Sequence, residues 1–187
     1  MEQALEKKPA SIYIPYALLV TALVSALIVA VNKVELKPGE VEYPEVSFIS
    51  PDFELPSLSG GKYKLSDYRG KVVFINFWAT WCATCKVEMP SMEKLYQTFK
   101  KDGFEMLTVS VDKDQSLIRP FMEKYKLTYP TLLDPNSKVA RGAYKTTGVP
   151  ETFIVNKEGI IVYKAIGPDD WSTPEMMEAF SILIKGS

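Results

Sequence analysis

Hydrophobic and polar residues divide the chain into segments of different rhythm. From Ile12 to Val31 the sequence reads IYIPYALLVTALVSALIVAV, without a charge. At about 1.5 Å per residue, a helix of about 20 residues crosses a hydrocarbon core of about 30 Å. This run predicts a transmembrane helix over 12–31, preceded by a short cytoplasmic segment, 1–11. A cleaved signal peptide is the main rival, because Val24-Ser25-Ala26 offers a small-residue cleavage site. The apolar run continues past that site, which favours an uncleaved anchor. Lys7 and Lys8 before the span are balanced by Lys33 and Lys37 after it, so charge does not orient it. Residues 32–49 carry Pro38, Gly39 and Pro44 among charges with no sustained period, and read as an extended tether.

From residue 50 to 187 the pattern predicts one α/β domain. Gly60-Gly61 marks a hairpin turn before Lys62–Leu65. Lys71–Trp78 is a continuous apolar run of strand length, as a strand buried on both faces requires. A helix begins near Cys82, where Met92, Leu95, Tyr96 and Phe99 repeat at three and four. Phe104–Val111 is the next strand, followed by a helix near Ser116–Tyr125 that Pro120 either delays or kinks. Thr131–Leu133 is a short strand and Val139–Tyr144 a short helix. Thr152–Val155 and Ile160–Ala165 form an antiparallel hairpin, and Thr173–Ile184 a closing helix. This order implies a central mixed sheet with helices on both faces.

Composition then narrows the chemistry. The 187 residues, 47% of them hydrophobic, suffice for one domain plus a further segment. Twenty-two basic and 23 acidic residues leave a net charge of −1, so no basic footprint points to nucleic acid. There is no histidine, which excludes Ser-His-Asp and Cys-His catalysis, His-ligated metals and a Cys-x-x-Cys-His haem attachment. The two cysteines, Cys82 and Cys85, are two residues apart. A disulfide closing so small a loop constrains the unfolded chain little, so reactivity explains the pair better than stability.

Cys82 falls just after a buried strand, at the start of a helix. There the free backbone N–H groups and the helix dipole stabilise a thiolate and make Cys82 the nucleophile. Cys85, one turn inside, is poised to attack a mixed disulfide and release the substrate. A zinc half-site is the other reading, but completing it needs carboxylates or a second chain. No metal or cofactor is expected.

The motif W-C-x-x-C-K-x-E-x-P (Trp81 to Pro90), the stretch PDFELPSLSGGKYKLSDYRGKVVFINFW before it and Gly148-Val149-Pro150 after it resemble the thioredoxin superfamily. Within it, the likeness is specifically to the membrane-tethered TlpA, ResA and DsbE (CcmG) proteins, over about residues 50–187. The resemblance implies a thioredoxin-like fold behind one N-terminal transmembrane helix, with the domain on the extracytoplasmic or periplasmic side of the inner membrane. It implies thiol–disulfide exchange at Cys82 and Cys85, a helix kinked at Pro90 and a cis peptide before Pro150. Substrate contacts would come from Trp81, Val149, Pro150 and Glu151, the last on the rim of the groove. On the residues alone, Pro150 and Glu151 read equally as an ordinary turn. Asn76 replaces the buried aspartate of thioredoxin and cannot accept a proton. Glu88, three residues after Cys85 on the same helix face, is the natural substitute, tuning Cys85 and carrying its proton. Trp78 is expected in the core, and Thr84 within reach of Cys82.

By the same likeness the chain is a reductase of selected disulfides, such as the haem-site cysteines of apocytochrome c, in cytochrome c maturation. With no third cysteine it needs electrons from a membrane dithiol partner. Other readings are a general disulfide oxidant or isomerase and a Cu(I)-binding metallochaperone. Peroxiredoxins share the opening Pro51-Asp-Phe-Glu-Leu-Pro, but their Pro-x-x-x-Thr-x-x-Cys loop is absent here.

Overall fold

The computed structural model describes residues 46–186. The predicted N-terminal segment, the span over 12–31 and all but the last residues of the tether lie outside them. Among the described residues no helix is long and apolar enough to cross a membrane. The last tether residues already belong to the domain: Ser47 N–H donates to the Ile161 carbonyl, and Ile49 bridges Ile160.

Val72–Trp78, every residue of it buried, forms a central strand. In chain order the strands are β1 (Glu54–Pro56), β2 (Lys62–Lys64), β3 (Val72–Trp78), β4 (Phe104–Ser110), β5 (Thr131–Leu133), β6 (Glu151–Val155) and β7 (Ile161–Ile166). β1 and β2 make the predicted hairpin. Gly60 and Gly61 both take positive φ in its turn, a conformation that side chains resist. The other five make one mixed sheet in the order β5-β4-β3-β6-β7. β3, β4 and β5 run parallel, while β6 and β7 are antiparallel, as the rhythm of the last third predicts.

Among the described residues three α-helices follow from the amphipathic stretches: α1 (Ala83–Phe99), α2 (Ile118–Tyr125) and α3 (Pro174–Lys185). Pro120 delays α2 rather than kinking it. It occupies the third helical position, where the missing N–H has no partner to lose. Lys138–Ala143 is a π-helical stretch, close to the short helix expected there.

Alternation along β3 feeds two cores. Val72, Phe74 and Trp78 point to one face and pack with Met89, Met92 and Leu95 of α1, Ile118 and Met122 of α2, and Phe180 and Ile184 of α3. Val73, Ile75 and Phe77 point to the other, against Phe53, Leu55, Leu65, Val139 and Tyr144. The helices are thus divided unequally. All three α-helices serve one face, and the hairpin with the π-helical stretch covers the second. Burying each such aliphatic or aromatic side chain stabilises the fold by about 1.5–3 kcal/mol. A sheet held on both faces fixes the ends of β3 and β6, and the cysteines lie at one of them.

Candidate functional site: a dithiol at a helix N-terminus

Cys82 is the N-cap of α1. Its backbone is extended, and its sulfur accepts a hydrogen bond from the Cys85 N–H at 3.0 Å. The two cysteines form a disulfide, with Cys82 5% exposed and Cys85 fully buried. An incoming thiol or disulfide can therefore reach only Cys82. The Thr84 hydroxyl lies 3.5 Å from the Cys82 sulfur, placed to donate to it. The Val149 carbonyl oxygen is 3.6 Å from the same sulfur, and the Val149–Pro150 peptide is cis.

The turn before Cys82 is fixed by a residue the sequence did not single out. Asp112, just past β4 and 2% exposed, accepts from the Thr80 N–H (2.9 Å), the Thr80 hydroxyl (2.7 Å) and the Ser110 hydroxyl (2.8 Å). Hydrogen bonds to a charged group contribute about 1.5–3 kcal/mol each at best, so this carboxylate is a strong anchor for Ala79–Trp81. Only its position after an apolar strand hinted at the role.

Trp81 is 68% exposed. It walls a groove of about 640 Å³ beside the dithiol, together with Val111, Leu117 and Val149. Trp78 is buried in the core against Phe121, as expected. Pro150 is buried and Val149 half-buried at the groove. Glu151 departs from the expected rim position. It is 1% exposed, with its carboxylate turned inward to the Thr147 N–H and to Lys164, because β6 begins at Glu151 and carries its side chain under the sheet.

Glu88 sits one helical turn beyond Cys85 and is 1% exposed, not a solvated helix carboxylate. Its Oε1 accepts from the Asn76 amide at 2.9 Å, and its Oε2 from the Trp171 indole N–H at 3.2 Å and the Asp169 N–H at 3.4 Å. Asn76 also donates to the Thr152 hydroxyl at 2.8 Å, so β3 and β6 both support the carboxylate. Burial pushes the Glu88 carboxyl above the ordinary glutamate range. The Trp171, Asn76 and Asp169 N–H groups pull it partway back, while the Asp169 charge pushes upward. Trp171 is the other residue that sequence reasoning missed: it is distant in the chain and carries no motif. Among the described residues no cluster of three or more His, Cys, Asp or Glu side chains is arranged to hold a metal ion.

The AhpC/TSA family profile matches residues 48–164, more than half of the chain. Curated relatives include the thiol-disulfide oxidoreductase ResA of Geobacillus kaustophilus, 44% identical over 114 residues, which are 61% of this chain and 65% of that protein. ResA of Bacillus cereus is 36% identical over 142 residues, covering 76% of this chain and 80% of that one. The chain belongs to the AhpC/TSA family, among its ResA-like thiol–disulfide oxidoreductases. Of solved structures, the thioredoxin domain of a thiol-disulfide oxidoreductase from Bacteroides vulgatus matches this ResA-like chain with a TM-score of 0.65 at 29% identity. That match covers 73% of this chain and 97% of that one. The opening Pro51–Pro56 shared with peroxiredoxins lies inside the family match. The whole chain has only the two cysteines of its Cys-x-x-Cys pair, so family membership carries disulfide exchange here and not the peroxidatic loop.

Proposed function

We propose that this ResA-like protein is a reductase of extracytoplasmic disulfides, held at the inner membrane by residues 12–31, and that its substrates include the haem-site cysteines of apocytochrome c. The observation that carries the direction of transfer is the buried Glu88 carboxylate one turn from Cys85. Residues three apart on a helix lie about 5–6 Å apart at Cβ. A negative charge so near, in a poorly solvated site, disfavours a thiolate on Cys85 and so favours surrender of its electrons to a substrate.

The steps conserve atoms and electrons. The Cys82 thiolate attacks one sulfur of the substrate disulfide, and the other substrate sulfur leaves as a thiolate and takes up a proton. Glu88 takes the proton from Cys85, whose sulfur then attacks Cys82. The second substrate sulfur leaves and takes up the proton from Glu88, and the protein holds the Cys82–Cys85 disulfide. Two electrons and two protons from another dithiol restore it, because the chain has no third cysteine; a membrane protein that relays electrons across the bilayer fits this need. Val149 and Pro150 flank the Cys82 sulfur and would pair with the substrate backbone, while the Trp81 groove would take an apolar neighbour of the substrate cysteine.

The substrate assignment has a direct test. Pre-reduced full-length protein is expected to reduce an intramolecular disulfide in a Cys-x-x-Cys-His peptide about tenfold faster than an unrelated disulfide peptide of the same length. Equal rates, read by alkylation and mass, would remove the apocytochrome assignment and leave a general reductase.

A further inference from the structure

Glu151 opens β6 directly after Pro150 and is almost wholly buried. A carboxylate at that depth is costly unless it is both paired and hydrogen-bonded. Its two oxygens are served unequally: Oε2 is hydrogen-bonded, while Oε1 makes no hydrogen bond and has only an ion pair. Oε2 accepts from the Thr147 N–H at 3.0 Å, reaching back across the Thr147–Pro150 turn. Oε1 faces the Lys164 ammonium at 3.6 Å.

Lys164 reaches it from the neighbouring strand. In the β6–β7 register Glu151 lies opposite Ile166 and Phe153 opposite Lys164, so Glu151 and Lys164 are diagonal neighbours on one face. The ammonium also lies over the Phe153 ring, 5.5 Å from its centroid, and the lysine side chain is only 12% exposed. A second tie runs in parallel, from the Gly167 N–H to the Pro150 carbonyl at 2.9 Å. The turn that presents the Val149 carbonyl to the Cys82 sulfur is therefore held from beneath by a buried ion pair on β6 and β7.

We propose that Glu151 and Lys164 form a clamp that positions Thr147–Pro150 against the dithiol, and that the clamp sets affinity for disulfide-bearing polypeptides while leaving the reactivity of Cys82 unchanged. This rests on the reading that Val149 and Pro150 pair with the substrate backbone. A polypeptide must lie along that turn to react, and a displacement of the turn weakens every backbone contact it makes. A small disulfide needs only the exposed edge of the Cys82 sulfur. Glu151 and Lys164 are positioning residues, since neither reaches the reacting atoms.

The test uses full-length, pre-reduced protein in single turnover, with a disulfide-bridged peptide and with 5,5′-dithiobis(2-nitrobenzoate) as the small disulfide. Lys164→Met is expected to raise the half-saturating peptide concentration about tenfold or more, the scale on which a misplaced positioning element acts, with the small-disulfide rate unchanged. Lys164→Arg keeps the charge and is expected to restore peptide affinity. Glu151→Gln keeps an acceptor for the Thr147 N–H but removes the charge, and is expected to repeat the peptide defect; it decides the matter if Lys164→Met does not fold. Equal changes towards the two substrates, or none towards the peptide, would overturn the clamp. A wild-type protein that consumes the small disulfide but never saturates with peptide would instead overturn the substrate-pairing reading beneath it.

Discussion

Cys82→Ser is expected to abolish disulfide exchange, with a loss on the order of 10³-fold or more, as removal of an essential nucleophile produces. Cys85→Ser is expected to behave differently. Cys82 would still attack, but nothing would resolve the mixed disulfide, so the variant should accumulate a one-to-one adduct with its substrate. The asymmetry follows from burial: Cys82 keeps an exposed edge at the helix N-terminus, while Cys85 is fully enclosed. Intact mass of each variant after mixing with a disulfide peptide distinguishes them. An adduct on Cys85 in the Cys82→Ser variant would reverse the assignment of nucleophile and resolving thiol.

Glu88→Gln is expected to slow the resolving step by about 10²-fold, the low end of what a positioned acid–base group contributes. The wild-type rate of that step should rise with pH as Glu88 ionises, at a value above the ordinary glutamate range because burial opposes the charge. The variant should lose that rise, since an amide cannot take the Cys85 proton. Stability carries the same signature with the opposite sign. Because the folded carboxyl holds its proton more tightly than the unfolded one, stability falls as pH rises from about 4.5 to the raised folded value. The amide has no proton to lose, so the fall should be absent in Glu88→Gln. Stopped-flow rates and denaturant midpoints across pH measure both effects. A variant that keeps the wild-type pH–rate profile would contradict a role for Glu88 in proton transfer.

Much of the fold was legible because its elements are locally overdetermined. The apolar run up to Trp78 has strand length and no polar face, and Gly60-Gly61 supplies the positive φ of the β1–β2 hairpin. Cys82 and Cys85 were legible from spacing and from the strand-to-helix junction they occupy. The unequal sharing of helices between the two faces was not, because it depends on where crossovers run and not on the periodicity of any one segment.

The supporting residues of the site were the least legible. Glu88 was named for its spacing from Cys85 together with the family resemblance, since spacing alone reads as a solvated helix carboxylate; its burial depends on Asn76, Thr152, Trp171 and Asp169, which lie up to 83 positions away. Asp112 is one acidic residue among 23 until its oxygens are seen on Thr80 and Ser110. Glu151 sits in a turn-like sequence, Gly148-Val149-Pro150-Glu151-Thr152. Only the strand that begins at Glu151 turns its side chain inward, and only the β7 register supplies Lys164.

The central claim is that this ResA-like dithiol gives electrons to its substrates, with Glu88 disfavouring a thiolate on Cys85. The reduction potential of the full-length protein, equilibrated in thiol buffers and read by alkylation and mass, tests it most directly. For scale, thioredoxin lies near about −270 mV and the strong oxidant DsbA near about −120 mV. A potential at or below about −220 mV is the predicted result, and one above about −150 mV would make the protein an oxidant or isomerase and contradict the account.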